Sequence, residues 1–297
     1  MRLYRFIEAE KATYGVYRAL GLLEIAKSTY YDWRDATRRP PSPRDQRREE
    51  LAAAIVQAHD ASDGVYGAPR IHADLQAAGH AVARKTVAKI MRELRIQGVS
   101  PRPWRVTTLP DGAAAAHPDL VERAFDTGEL DRVWISDITY LHTGEGWLYL
   151  AVVRDGCSRR VLGWAIEDHM RAELVTAALA MAVAARGHRA EQVIFHADRG
   201  CQYTSREVTD YAAEHNIACS VGATGVCWDN AMAESFWATF KVEYYYRHTW
   251  NTKTEAKRAT INWITTVYNS RRRHSALGMQ TPLQFELNKQ REPAQAA

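Results

Sequence analysis

The chain is poor in cysteine, with four in 297 residues, at positions 157, 201, 219 and 227. None forms a C-x-x-C pair, which argues against a structural zinc site, and so few argue against a disulfide framework. No apolar leader precedes the charged N-terminus. The longest apolar stretch, Leu174 to Ala185, is too short and too rich in alanine to span a bilayer. Internal repeats and heptad arrays are also missing, which removes solenoids and coiled coils. What is left is a globular chain expected in a reducing cytoplasm, without a membrane partner.

The length suggests two domains, one large and one small. A hydrophobic fraction of 46% and a charged fraction of 25% are ordinary for a chain with a packed core. The formal charge of +4 hides an asymmetry. Residues 1–105 hold 19 Lys and Arg against 12 Asp and Glu, whereas the remainder holds 20 against 23. A basic first third joined to a mildly acidic remainder fits a DNA-binding module attached to a metal site, and equally fits a basic solvated surface.

Residues 1–37 read as a helical region, with Ser28 as a cap of the segment Ser28-Thr-Tyr-Tyr-Asp-Trp33. A basic, Pro-rich linker, Arg38 to Arg44, precedes a helix over Glu49–His59. Residues 46–100 form a helix-turn-helix-like module. Pro69 suits a first helical turn, Gly79 suits a helix end, and Arg84 to Leu94 makes a second helix. That helix exposes Arg84, Lys85, Lys89 and Arg92, either as contacts to DNA phosphates and base edges or as a solvated basic face. Residues 101–127, with Pro101, Pro103, Pro110 and the Ala113–Ala116 run, read as a linker that separates this module from residues 128–290. There the pattern changes. Three β-like runs, Val133–Tyr140, Trp147–Val153 and Val161–Ile166, with Gly144-Glu-Gly146 as a hairpin turn, give way to alternation. Helix Ala172–Ala185, strand Val193–His196, helix Ser205–His215, strand Ala218–Val221 and helices from Asn230 and over Thr254–Tyr268 follow. Such an order predicts an α/β fold, a mixed sheet flanked by helices.

Three carboxylates stand out within it. Asp137 interrupts a strand, where Asp is depleted. Asp198 ends another strand before a Gly turn, and Glu234 lies early in a helix after a spacer of 35 residues. Two strand-end aspartates and a helical glutamate can converge on a pair of hard cations that clamp the attacking and leaving oxygens of a phosphodiester. Each also has an ordinary reading: an edge strand or salt bridge, a common strand end, a solvent-facing helix residue. Glu234, Trp237, Lys241 and Tyr245 share one stripe, while Phe236, Phe240 and Tyr244 make the core stripe, so Glu234 faces away from the main apolar side. Lys241 reads either as a phosphate contact or as an exposed lysine. The approach, Val221 to Asn230, contains two glycines and offers Asp229 or Asn230 as a helix cap, which fits a mobile loop over DNA or a plain connection.

At these residues the chain resembles insertion-sequence transposases with a retroviral-integrase-type catalytic core, the DDE group. It looks most like the second-reading-frame protein (OrfB) of the insertion sequence three family. The motifs are Tyr66-Gly-Ala-Pro-Arg-Ile71, Trp134-Ile-Ser-Asp137-Ile-Thr-Tyr140, His196-Ala-Asp198-Arg-Gly-Cys-Gln-Tyr-Thr-Ser205, Asp229-Asn-Ala-Met-Ala-Glu234-Ser-Phe and Tyr268-Asn-Ser-Arg-Arg-Arg-His274-Ser-Ala-Leu-Gly278, followed by Thr281-Pro-Leu-Gln-Phe285. The resemblance implies an RNase H-like mixed five-stranded sheet flanked by helices, preceded by small all-α helix-turn-helix modules. It implies cleavage and strand transfer of DNA with Mg²⁺, or Mn²⁺ as a substitute, held as a pair by Asp137, Asp198 and Glu234. Ala197 and Cys201 stand where serine is frequent in related motifs, neither at a ligand position. Asp155, another strand-end acid, has a supporting or purely structural role. The partners implied are the element's terminal inverted repeats, target DNA, further copies of the chain on DNA, and an upstream-frame protein or fusion. Two rivals are a DNA-binding regulator with a dead core, against which the intact triad argues, and a plain nuclease, which has no need of the N-terminal helices.

Overall fold

Alternating burial draws β1 (Val133–Thr143) into the middle of a sheet. Trp134 and Ser136 turn to one side, Val133 and Ile135 to the other, and all four are buried. The computed structural model of the chain describes residues 2–100, 117–122, 124–187, 189, 191–222 and 231–295. Strand β2 (Gly146–Asp155) pairs antiparallel with β1 across the turn at Gly144-Glu145, and β3 (Val161–Glu167) pairs antiparallel with β2. Strand β4 (Val193–Ala197) then joins the other edge of β1 in parallel, and β5 (Ile217–Val221) adds in parallel to β4. The sheet order is β3-β2-β1-β4-β5. This is the expected RNase H-like sheet, with three antiparallel strands followed by alternating helix and strand.

Helices cover both faces. Labelled in chain order, the helices are α1 (Arg2–Tyr14), α2 (Val16–Leu22), α3 (Lys27–Arg38), α4 (Pro43–Ala61), α5 (Ala68–Ala77), α6 (Arg84–Glu93), α7 (Ala172–Arg186), α8 (Arg206–Glu214), α9 (Ala231–Glu243), α10 (Lys253–Asn262) and α11 (Pro282–Gln295). On one face Trp134, Ala151, Val153 and Phe195 pack with Val175, Leu179 and Ala182 of α7 and Val208 of α8. On the other, Leu148, Leu150 and Val152 pack with Phe236 and Phe240 of α9, Ala256 of α10 and Trp263. Strand β2 is therefore buried on both sides, which is why it reads as a nearly continuous apolar run. The helix expected over Thr254–Tyr268 changes character at Trp263, where six residues, Trp263–Tyr268, wind as a π-helix. Asn269 N–H donates five residues back to the Ile264 carbonyl, and the Asn269 side chain exchanges two hydrogen bonds with the Val161 backbone. The wider turn brings that amide against β3.

The described residues gather into two units, Met1–Ala58 and His59–Ala297. The first has its own small core of Ile7, Leu20 and Tyr30. The single helical reading of residues 1–37 resolves into three helices, and Ser28 is not a cap: α3 starts at Lys27, with Ala26 before it and no side-chain cap bond. Ser42 caps α4 instead, trading hydrogen bonds with Asp45 across the first turn. In the second unit α5 and α6 form the expected hairpin, with Gly67 before α5 and Gly79, at φ 85°, just past its end. The expectation that a linker holds this hairpin apart from the sheet domain is not met. Tyr66 Oη donates to the Arg271 carbonyl at 3.2 Å and accepts the Arg273 N–H at 2.9 Å. Arg70 pairs with Glu243 of α9, and Arg273 pairs with Asp74 of α5. Residues 101–116, with the linker's prolines and alanines, lie outside the described residues, as does the approach 223–230 with Cys227, Asp229 and Asn230. The other three cysteines are free thiols.

Helix α7 lies unusually close to β3. A Cβ placed on Gly163 falls 2.1 Å from the Ala178 carbonyl oxygen and 2.6 Å from the Ala182 nitrogen, both backbone atoms that cannot swing aside. Gly163→Ala should therefore destabilise the protein by about 3 kcal/mol and lower its melting temperature by roughly 5–10 °C. Calorimetry checks this, and an unchanged melting curve would contradict the close packing.

Candidate active site

Strands β1 and β4 run parallel with Val133 opposite Ile194, Trp134 opposite Phe195 and Ile135 opposite His196. Carried two residues further, that register sets Asp137 beside Asp198, and neighbouring strands are about 4.8 Å apart. Parallel partners in register share a face, and the two aspartates follow the paired stretch of these strands. Tyr203 reports on both of them. Its ring is buried, its hydroxyl lies 3.2 Å from Ser136 Oγ, and burial pushes it well above the usual phenol range, with the charges of Asp137 and Asp198 adding to the rise. Asp198 is exposed just past the end of β4, and its Oδ1 accepts the Gly200 N–H at 3.0 Å. Gly200 permits that turn, since an added Cβ would crowd the same oxygen at 3.1 Å.

Helix α9 lies over the face that carries Asp137. Its stripe of Trp237, Lys241 and, just beyond its end, Tyr245 follows β1 residue by residue. Trp237 Nε1 donates to Asp137 Oδ2 at 2.9 Å, Lys241 Nζ stands 5.8 Å from the Tyr140 ring centroid, and Tyr245 Oη donates to the His142 carbonyl at 3.0 Å. Glu234 continues this stripe one turn before Trp237, about 4.5 Å along the helix axis. Met232, in the same turn, packs against Val133 and Ile135. Glu234 is half-buried, and burial pushes its carboxyl above the usual glutamate value. Among the described residues no three His, Cys, Asp or Glu side chains stand close enough to hold a metal ion. The structure thus sets Asp137 and Asp198 just past the paired stretch of two parallel strands and Glu234 on the facing helix, without closing the three into one cluster. Like charges resist such closure until a cation offsets them.

The remaining site residues fall as follows. Arg84, Lys85, Lys89 and Arg92 are all exposed on α6, whose opposite side buries Val87, Ile90 and Met91. Lys241 is not an exposed lysine: it is half-buried, burial pulls its amine below the usual value, and Asp137 partly restores it. Asp155 is structural. It sits opposite Trp134, three residues from Asp137 along β1, and its buried carboxylate accepts the backbone N–H groups of Asp131, Cys157 and Ser158. The expected division of α9 into a core stripe and an outward stripe is not met: Trp237 and Tyr245 are buried with Phe236 and Phe240, Tyr244 is only half-buried, and the Trp237 bond to Asp137 has no sequence signal. Sequence reasoning missed Tyr203 altogether, although a tyrosine five residues after a strand-end aspartate was visible.

Comparison with known proteins identifies the family. A family model described as "Integrase core domain" matches residues 129–227, a second of the same description matches 215–282, and one described as "HTH-like domain" matches 46–104. The transposase InsF for insertion sequence IS3A of Escherichia coli (strain K12) is 37% identical over 284 residues, 95% of this chain and 98% of that protein. A putative transposase for insertion sequence element IS986/IS6110 from Mycobacterium tuberculosis (strain CDC 1551 / Oshkosh) is 37% identical over 269 residues, covering 89% and 95%. Among solved structures, the HTLV-2 integrase catalytic core domain in complex with magnesium (dimeric form) overlaps 52% of this chain and 96% of its own at 16% identity and a TM-score of 0.41. The catalytic domain of Mos1 mariner transposase overlaps 46% and 71% at 16% identity and a TM-score of 0.38. Integrase core and helix-turn-helix-like module together define a polynucleotidyl transferase that acts on DNA. The chain belongs to the IS3 family of insertion-sequence transposases, enzymes that cleave and join DNA strands as the element moves.

Trp237 touches Asp137 directly, so its loss should be felt in the chemistry. Trp237→Phe keeps an aromatic ring in the core but removes a hydrogen bond to a charged group. Strand cleavage should fall about tenfold with DNA affinity unchanged. Single-turnover cleavage of a labelled duplex measures this, and a rate within twofold of wild type would show that the indole does not hold Asp137.

Proposed function

We propose that Asp137, Asp198 and Glu234 are the catalytic carboxylates of this transposase and the ligands of a pair of divalent cations, Mg²⁺ with Mn²⁺ as a substitute. What supports this reading is the parallel register of β1 and β4, which, extended two residues past Ile135 and His196, would pair Asp137 with Asp198, together with the Trp237 indole that fastens α9 over Asp137. The donor set fits the ions: carboxylate oxygens from three separate elements, with no sulfur or imidazole, suit hard cations. When bound, such ions activate the attacking oxygen and offset charge on the leaving one. The chain's own residues do the rest. Tyr203, bonded to Ser136 and close enough to feel the charges of Asp137 and Asp198, stiffens the strands beneath them. Lys241, beside Asp137 and over the Tyr140 ring, holds a phosphate of the strand being cut. The exposed basic face of α6 holds the duplex, and residues 46–100 serve as the DNA-binding module of a catalytic region at 128–290.

The DNA proposed is the element's terminal inverted repeats, cut and then joined to target DNA. An element has two ends, each of which needs an active site, so several copies of the chain act together on DNA. From the resemblance alone, an upstream-frame product is a further proposed partner. No helix among the described residues is long and apolar enough to cross a membrane. A DNA substrate puts the proposed site of action in the cytoplasm.

Glu234→Gln keeps size and removes a ligating charge. Cleavage and strand transfer should both fall at least about a hundredfold while duplex binding survives. The rise in melting temperature produced by Mn²⁺ should shrink in the same variant. Cleavage near the wild-type rate would remove Glu234 from the site, and hydrolysis without joined products in the parent enzyme would favour a nuclease.

Neutralising phosphate contacts changes the salt dependence of binding, because condensed counterions are released on association. Lys85→Ala with Lys89→Ala should weaken duplex binding and flatten the slope of log affinity against log salt by roughly one unit per lost contact. Fluorescence anisotropy at a series of salt concentrations reads both, and an unchanged slope would return α6 to a solvated face.

A further inference from the structure

A cavity of about 220 Å³ opens beside α9, on a different face from Glu234 and Trp237. Arg70, Arg154, Arg159, Arg272 and His274 line it, and Glu243 is the one carboxylate among its described lining residues. Glu243 is already committed. Its two oxygens take Arg272 Nε and Nη2, both at 2.7 Å, and one of them also takes Arg70 Nη1 at 3.1 Å. Among the described residues the one carboxylate paired with Arg159 is Asp126, 3.8 Å away. Arg154 is buried, and it has no carboxylate partner among the described residues. It donates to the Tyr268 hydroxyl at 3.3 Å and the Met232 carbonyl at 2.6 Å, with its guanidinium 4.8 Å from the Phe236 ring centroid. The walls therefore carry a surplus of buried positive charge, which is costly unless something offsets it.

The unsatisfied atoms are donors. Arg272 Nη1 lies 3.4 Å from His274 Nδ1, and because a guanidinium only donates, Nδ1 accepts and the ring proton sits on Nε2. His274 is 8% exposed, and its Nε2 has no hydrogen-bond partner among the described residues; neither has Arg159 Nε. Burial, helped by Arg272, Arg70 and Arg154, pushes the His274 imidazole down to about 2, outweighing the nearby Tyr268 carbonyl. Burial and then Arg154 likewise work against the charge on Arg159. A neutral N–H and several guanidinium forks around one space make a receptor for an oxyanion with acceptors in several directions. At about 30 Å³ per water the space equals roughly seven waters, enough for a tetrahedral group with part of its hydration.

We propose that this cavity is a phosphate-binding site, separate from the carboxylate site, that takes either a DNA backbone phosphate or a free phosphate through Arg154, Arg159 and His274. It shares no residue with the proposed metal ligands. It does share a helix with one of them: Arg154 grips the Met232 carbonyl, in the turn of α9 that carries Glu234.

The test uses the full chain, with inorganic phosphate as probe in calorimetry at constant ionic strength set with chloride. Wild type should bind it saturably. Arg159→Gln and His274→Leu should each weaken it about tenfold, whereas His274→Gln, which restores an N–H, should stay within about threefold of wild type. Arg159 is partly exposed, so its variant supplies the reading if a leucine at 274 disturbs folding, which a circular dichroism melt of each variant detects. A second arm measures duplex affinity by anisotropy. If the ligand is a backbone phosphate, both weakening variants lower duplex affinity and inorganic phosphate competes with DNA. If it is a free phosphate, duplex affinity is unchanged. No saturable phosphate binding, or binding that folded Arg159→Gln leaves within twofold of wild type, overturns the proposal.

Discussion

Everything at the carboxylate site depends on β1 pairing in two senses at once, antiparallel with β2 and parallel with β4. The antiparallel side closes through a tight turn. The parallel side requires a crossover, which β2, β3 and α7 supply together. Parallel pairing aligns side chains on one face, so the strand segments that carry Asp137 and Asp198, far apart in sequence, are brought side by side by the sheet itself. The sheet is held rigid by the buried strands on either side and the apolar layers above and below.

Helix α9 carries three jobs on two faces. Phe236 and Phe240 hold it in the core, Trp237 holds it to Asp137, and Glu243 at its last turn binds Arg272 and Arg70. A displacement of the helix must break at least one of these attachments. Because Arg70 belongs to α5, the helical hairpin and the catalytic sheet share a rigid element, whatever path the chain takes between them.

The alternation of apolar residues made the sheet legible, since periods of two and of 3.6 residues follow directly from backbone geometry. Element boundaries came within a few residues for every strand. The aspartates were legible because Asp within an apolar run is costly without a purpose. Other features had no local signature. The π-helical turn at Trp263 depends on Asn269 reaching β3, and the bond from Trp237 to Asp137 joins residues that only the fold makes neighbours. The motifs Tyr66 to Ile71 and Tyr268 to Gly278 were visible as separate strings. That they meet, through Tyr66, Arg271 and Arg273, is a fact about topology and could not be read from either. Ser28 misled because a serine before an apolar segment has the composition of a cap, whereas α3 had already begun one residue earlier.

The bond between the Tyr66 hydroxyl and the Arg273 amide spans 207 residues of chain. Synthesis at about 5–20 residues per second leaves roughly 10–40 s between the emergence of the two partners from the ribosome. Throughout that interval Tyr66, just before α5, and Asp74 within it wait for Arg271 and Arg273, and only Arg70 meets its partner Glu243 earlier. Assembly of this half of the molecule therefore waits on the last tenth of the chain. A product broken off between Glu243 and Arg271 keeps the strands and the aspartates and the Arg70–Glu243 pair, yet lacks every bond that Tyr66 and Asp74 make across the seam.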